Sequence, residues 1–188
     1  MYVLGIDPGL TGGFCFIGDD GIIATMKTPT CTRKNRKGNY IDVQKVYDFI
    51  SSYEHRDDDY LAGIYIERQF ILRSQGMSSG SKTMYQSGIL YGLCWSFCDT
   101  LEEINAKDWQ KPIFNKVDES LIKSYNYSSD TKLKSIAYVE QNYGSQHLFH
   151  STRQRKPSDG LADAICIAAY GLERETTKTN KTNAKNNN

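Results

Sequence analysis

Residues 3–21 read VLGIDPGLTGGFCFIGDDG. An apolar run of strand length delivers one carboxylate, Asp7, into a Pro-Gly turn, and a second apolar run then ends in Gly-Asp-Asp-Gly. Short apolar runs bounded by Gly, Pro and Asp are the pattern of strands joined by tight turns. With the run that follows, the spacing predicts strands over 2–6, 13–17 and 22–27 in an antiparallel meander. Asp7 then stands at the C-terminal end of the first strand.

Downstream the pattern changes. The segment YIDVQKVYDFISSY (40–53) sets Val43, Val46, Phe49 and Ile50 at helical intervals. It follows a polar stretch with Arg33, Lys34, Arg36 and Lys37 that reads as a mobile loop. LAGIYIE (61–67) is a near-continuous apolar strand ending in Glu67, and residues 78–98 form a helix-length run expected to lie under the sheet. LEEINA (101–106) reads as a parallel-type strand. Helices are expected over 131–142 and 158–173, the second with Leu161, Ile165, Ala168 and Leu172 along one stripe. Hairpin strands followed by strands alternating with helices imply an α/β fold, a mixed sheet covered by helices. The final TTKTNKTNAKNNN has no apolar period, so the expected organisation is one domain over 1–173 and a disordered polar tail over 174–188.

Composition narrows the setting. The chain has 188 residues, a formal net charge of +1 and no apolar run near the roughly 18 residues of a membrane helix. No membrane role is expected, and the strand-like N-terminus points to an intracellular protein. Five cysteines, odd in number and without a CxxC, suit buried thiols in a reducing compartment rather than disulfides or zinc. Basic residues cluster at 33–37 and again at Arg153, Arg155 and Lys156.

Four acids carry the chemical argument. Asp7 and Glu67 each end a predicted strand, and on neighbouring strands both would emerge at one sheet edge. Asp159 and Asp163 are four apart and share a helix face. Each has an ordinary alternative: Asp7 as a turn residue, Glu67 as a strand-end acid, Asp159 as a helix-start acid favoured by the dipole. Asp163, inside the apolar LADAICIAA, is harder to assign to packing, because an unpaired buried acid is costly. Four carboxylates in one small volume repel unless cations lie between them, and hard oxygen donors suit Mg²⁺. Two such ions roughly 4 Å apart can activate a water and stabilise the leaving oxygen in phosphodiester hydrolysis.

GIDPGLTGG, IYIERQF, INAKDWQK and RQRKPSDGLADAICIAAYG occur in an order and spacing that resembles the RuvC-like Holliday-junction resolvases of the ribonuclease H-like superfamily. The four-residue step from Asp159 to Asp163 is closest to the bacteriophage and chloroplast members. The resemblance, anchored from residue 3 to about 171, implies a five-stranded ribonuclease H-like sheet, an antiparallel meander followed by parallel strands, flanked by helices. It implies a homodimer that binds a four-way DNA junction and makes paired nicks. Two Mg²⁺ per site, or Mn²⁺, would be held by Asp7, Glu67, Asp159 and Asp163 as the catalytic residues. Phe70, three residues after Glu67, stands where bacterial members carry a stacking aromatic, with a core role as the alternative. Arg73 and Lys82, in or beside the polar helix start RSQGMSSGSKTMYQSG (73–88), and Arg153, Arg155 and Lys156 complete the candidate DNA contacts. Asn, Lys and Tyr richness joins the resemblance in pointing to a bacteriophage protein working in the host cytoplasm.

Other readings share parts of this pattern. GMSSGSKT (76–83) lacks the Gly that the phosphate loop requires before its Lys, so no nucleotide cofactor is expected. His147 and His150 read as loop residues rather than ligands. IDPGLTGG also resembles the first phosphate loop of sugar kinases and actin-like ATPases, which need two such domains. The same acids could serve a nuclease of flaps, forks or RNA-DNA hybrids, and a catalytically inactive junction-binding protein is a third possibility.

Overall fold

The computed structural model describes residues 1–34, 36–54, 59–71, 76–118, 120–121, 131–150 and 153–186. The opening apolar runs form β1 (Tyr2–Asp7), β2 (Gly13–Gly18) and β3 (Gly21–Lys27), an antiparallel meander as the turns dictate. Then come β4 (Thr30–Arg33), β5 (Arg36–Ile41), α1 (Val43–Glu54), β6 (Leu61–Glu67) and α2 (Met77–Cys94). The chain continues with β7 (Leu101–Ile104), α3 (Ala106–Phe114), α4 (Thr131–Asn142), a 3₁₀ turn (Ser145–Leu148) and α5 (Asp159–Asn186). The main sheet runs β3-β2-β1-β6-β7, with β6 parallel to both β1 and β7. This is the expected mixed five-stranded sheet, an antiparallel meander followed by parallel strands, flanked by helices.

β1 is buried on both faces because each face meets a helical layer. Tyr2, Leu4 and Ile6 join Phe14, Phe16, Ile64 and Ile66 against α1 and α2. Val3 faces the other way, with Cys15, Ile17 and Tyr65, against α3, α4 and α5. The strand period of two therefore sends Asp7, in step with Val3 and Gly5, to the α5 side. Gly5 is where α5 rests on the sheet: a Cβ there would lie 2.3 Å from the Ala168 backbone nitrogen. Only glycine lets the helix approach the strand main chain to main chain.

Three sequence expectations change. The basic stretch expected as a loop is the β4–β5 hairpin, docked on α2 by the Ile41 N–H donating to the buried Gln86 Oε1 at 2.7 Å. Its strands alternate in no apolar pattern, since they are held by polar and cation–π contacts; Arg33 and Lys82 both stack on Tyr40. α2 touches the core through Leu90 and Cys94, while Met77, Met84, Tyr85 and Trp95 are exposed. Finally, residues 174–186, expected as disordered tail, continue α5. The Tyr65 hydroxyl donates to Glu175 at 2.5 Å within the protein, and Glu102 pairs with Arg174 and Lys178. Polar contacts to strands far back in the sequence hold that helix, so no local apolar period announces it.

Candidate active site

Parallel pairing of β1 with β6 sets Ile6 beside Ile66, and so brings the ends of both strands, Asp7 and Glu67, to one edge of the sheet. The first turn of α5 packs against the turn that follows Asp7. At Gly160 a Cβ would meet the Thr11 carbonyl oxygen at 2.1 Å, a close approach that again requires glycine. Seated at Gly160 and Gly5, α5 carries Asp159 and Asp163 to the same edge.

The carboxylates influence one another there. Burial pushes the Asp7 carboxyl up to about 7, and the charges of Glu67 and Asp159 add to the rise. Burial likewise takes Asp163 to about 7, opposed by its hydrogen bond from Ser135 and reinforced by Asp7, Glu67 and Asp159. Glu67 is raised by burial, in part offset by the Trp109 indole. Asp159 differs: partial burial would raise it, but the Lys132 ammonium outweighs burial and holds it below the ordinary carboxylate value.

Each acid has a fixed partner. Trp109 Nε1 donates to Glu67 Oε2 at 2.8 Å, Ser135 Oγ donates to Asp163 Oδ1 at 2.5 Å, and Lys132 Nζ pairs with Asp159 Oδ2 at 2.5 Å. The Gly9 N–H reaches Asp7 Oδ1 at 3.4 Å. Among the described residues, no three His, Cys, Asp or Glu side chains close into a metal-ligand cluster. Lys132 and Ser135 went unassigned in the sequence, although their i, i+3 spacing on a helix signals a shared face. Trp109 lay inside a quoted motif, but nothing in the spacing linked it to Glu67.

The candidate DNA contacts are more dispersed. Phe70 is 57% exposed with the Arg68 guanidinium 5.3 Å from its ring centroid, so the core alternative does not hold. Arg73 lies outside the described residues. Lys82 sits in α2 with its ammonium 4.4 Å from the Tyr40 ring centroid, and Arg153, Arg155 and Lys156 are exposed on the segment leading into α5. All five cysteines are free thiols, and His147 and His150 lie outside any acid cluster. No helix among the described residues is long and apolar enough to cross a membrane.

No protein-family model matches the chain, and no curated protein matches it in sequence. Among solved structures it is similar to T. thermophilus RuvC in complex with a Holliday junction substrate, with a TM-score of 0.55 and 14% identity over 93% of this chain and 96% of that chain. It is also similar to a second Thermus thermophilus RuvC structure, with a TM-score of 0.50 and 19% identity over the same shares. At this identity the likeness establishes a RuvC-like fold.

Proposed function

We propose that this chain is a metal-dependent, structure-selective endodeoxyribonuclease that resolves four-way DNA junctions by paired nicks. One observation carries the reading: β1 and β6, paired in parallel, end in Asp7 and Glu67, and the glycine-seated α5 brings Asp159 and Asp163 to that same edge. Three elements distant in sequence converge to put four acids at one sheet edge, an arrangement that folding alone disfavours. The fold shared with a protein solved on a Holliday junction substrate adds support for the substrate class. The four-residue step between Asp159 and Asp163 is the ground for placing the chain with bacteriophage and chloroplast resolvases, and hence in a host cytoplasm.

The donor set fits a hard divalent cation. It is all carboxylate oxygen, and burial and the neighbouring carboxylates together raise Asp7 and Asp163, a cost that a cation drawing the four acids together would offset. Asp7, Glu67, Asp159 and Asp163 would hold two Mg²⁺ or Mn²⁺. When bound, such ions lower the pKa of a water and stabilise the leaving oxygen of the phosphodiester. The chain's own groups orient the donors: Trp109 aims Glu67, Ser135 aims Asp163, and Lys132 restrains Asp159. Arg153, Arg155 and Lys156 would neutralise the phosphate backbone beside the edge, and Phe70, with Arg68 beside it, would offer its exposed ring to an unstacked base.

Paired nicks need two sites, and a symmetric dimer matches a junction with two scissile strands. The exposed side of α2 supports pairing with a second copy: Met77, Met84, Tyr85 and Trp95 flank Gly88 and Gly92, where an added Cβ meets nothing. The test is cleavage of a labelled immobile four-way junction beside matched duplex, flap and RNA-DNA hybrid, in Mg²⁺ and in EDTA, with Asp7→Asn as control. Selective, metal-dependent, symmetric nicking of the junction is expected. Preferential cutting of flaps or hybrids would reject the junction assignment, and metal-independent binding without cleavage would reject the nuclease.

A further inference from the structure

A groove of about 650 Å³ opens beside the turn that follows Asp7, within the roughly 300–1,000 Å³ range of ligand clefts. Thr11, Lys27, Thr28, Thr30, Asn39 and His150 supply its polar lining, and the described lining contains no carboxylate. One wall belongs to the β4–β5 hairpin and another to the Asp7 turn. The short link between β3 and the hairpin is tied to the Asp7 turn where the Thr28 N–H donates to the Gly12 carbonyl at 3.0 Å.

Two further features indicate a ligand. Thr28 is 5% exposed, yet among the described residues its buried Oγ1 has no hydrogen-bond partner. Buried hydroxyls almost always find one, so an orphan just behind the wall of a polar groove marks a group that a ligand would satisfy once the Thr28 side chain turns toward the groove. The second feature is continuity. Thr32 and Asn39 face each other across the hairpin, and Thr30 and Asn39 carry the groove's lining onto it. Lys27 and neutral polar groups thus line one path from the turn after Asp7 to the hairpin, while Arg33 and Tyr40 are engaged with α2 on the other side.

We infer that this groove is a subsite for the sugar-phosphate backbone of a single DNA strand entering or leaving the acid edge. Lys27 contacts a phosphate, and Thr30 and Asn39 act as neutral hydrogen-bonding groups. The inference rests on the nuclease reading for its direction, since the strand runs toward Asp7. The β4–β5 hairpin thereby becomes a guide for the substrate strand.

Two measurements on the full chain test it. The first titrates ¹⁵N-labelled protein, without metal, with the trinucleotide p(dT)₃. Amide shifts are expected at Thr11, Lys27, Thr28, Thr30 and Asn39, weakened in Lys27→Ala and in Thr28→Val, the second of which should melt no lower than wild type. Shifts elsewhere or none, or unchanged binding by both variants, would overturn the inference. The second compares junction affinity at 50 and 200 mM KCl. Each phosphate contact contributes about a 3.5-fold loss over that range, so Lys27→Ala should lose affinity about 3.5-fold less steeply than wild type. An equal salt response would count against the subsite. If p(dT)₃ fills the groove while junctions stay uncut, the nuclease reading falls and the subsite stands. If junctions are cut while both groove variants behave as wild type, the reverse holds.

Discussion

Replacing Asp7 by Asn should stabilise the metal-free protein, and more strongly at pH 8 than at pH 5. In the folded chain the Asp7 carboxyl rises from 3.8 to about 7. A raised carboxyl binds its proton more tightly folded than unfolded, so the folded state holds more protons between those values and stability falls as pH climbs through them. At about 1.4 kcal/mol per pKa unit, keeping Asp7 ionised at pH 8 costs on the order of 4 kcal/mol, whereas at pH 5, where the folded carboxyl is protonated, taking up that proton costs on the order of 2 kcal/mol. The Asn variant should therefore gain about 2–3 kcal/mol more at pH 8 than at pH 5, an upper figure because Asp163 titrates with it. For a chain of this size that widens the melting-temperature gap by about 5–10 °C. The assay is thermal denaturation of both proteins in EDTA at the two pH values, repeated with Mg²⁺ at pH 8. Mg²⁺ should raise the wild-type midpoint and leave the variant nearly unmoved. A gap that is the same at both pH values, or larger at pH 5, would refute the claim that Asp7 is held against its charge by burial and neighbouring acids.

Further outcomes follow from particular contacts. Trp109→Phe keeps an aromatic ring in the core but removes the N–H that aims Glu67, so junction cleavage should fall about tenfold for a lost interaction of about 1.4 kcal/mol, with binding intact; equal rates would remove Trp109 from the site. Ending the chain at residue 173 leaves the Tyr65 hydroxyl without Glu175 and should destabilise the protein by about 1–3 kcal/mol, read by urea denaturation. Gly88→Arg on the open side of α2 should give a monomeric mass by sedimentation at micromolar concentration; an unchanged dimer would place pairing elsewhere. Converting Arg153, Arg155 and Lys156 to Ala should flatten the salt dependence of junction binding by a log–log slope of roughly 3, and an unaltered slope would exclude them from the contact.

The parts of the fold legible in the sequence were those in which one chain segment carries its own signal. β1, β2, β3, β6 and α4 announce themselves by apolar runs, turn residues or helical spacing, because their burial is decided by the segment itself. The hairpin at 30–41 and the extension of α5 past residue 173 do not, since Gln86, Tyr40, Tyr65 and Glu102 hold them from elsewhere in the chain. The four acids could be singled out because strand ends and an i, i+4 pair are visible in one dimension. Their partners Trp109, Lys132 and Ser135 were not, as they belong to helices whose placement against α5 and the sheet is a tertiary fact.

The glycine seat of α5 sets how far the acids of this edge can drift over the history of the chain. At Gly5 the helix touches the strand through main-chain atoms, so the gap between the carriers of Asp7 and Asp163 is gauged by covalent backbone dimensions and not by the size of any interchangeable side chain. Neighbouring core positions can trade volumes without resetting that gauge. Any side chain at residue 5 would lift the helix and open the edge in a single step. Selection on the chemistry would therefore weigh most heavily on a residue that carries no functional group and touches no substrate.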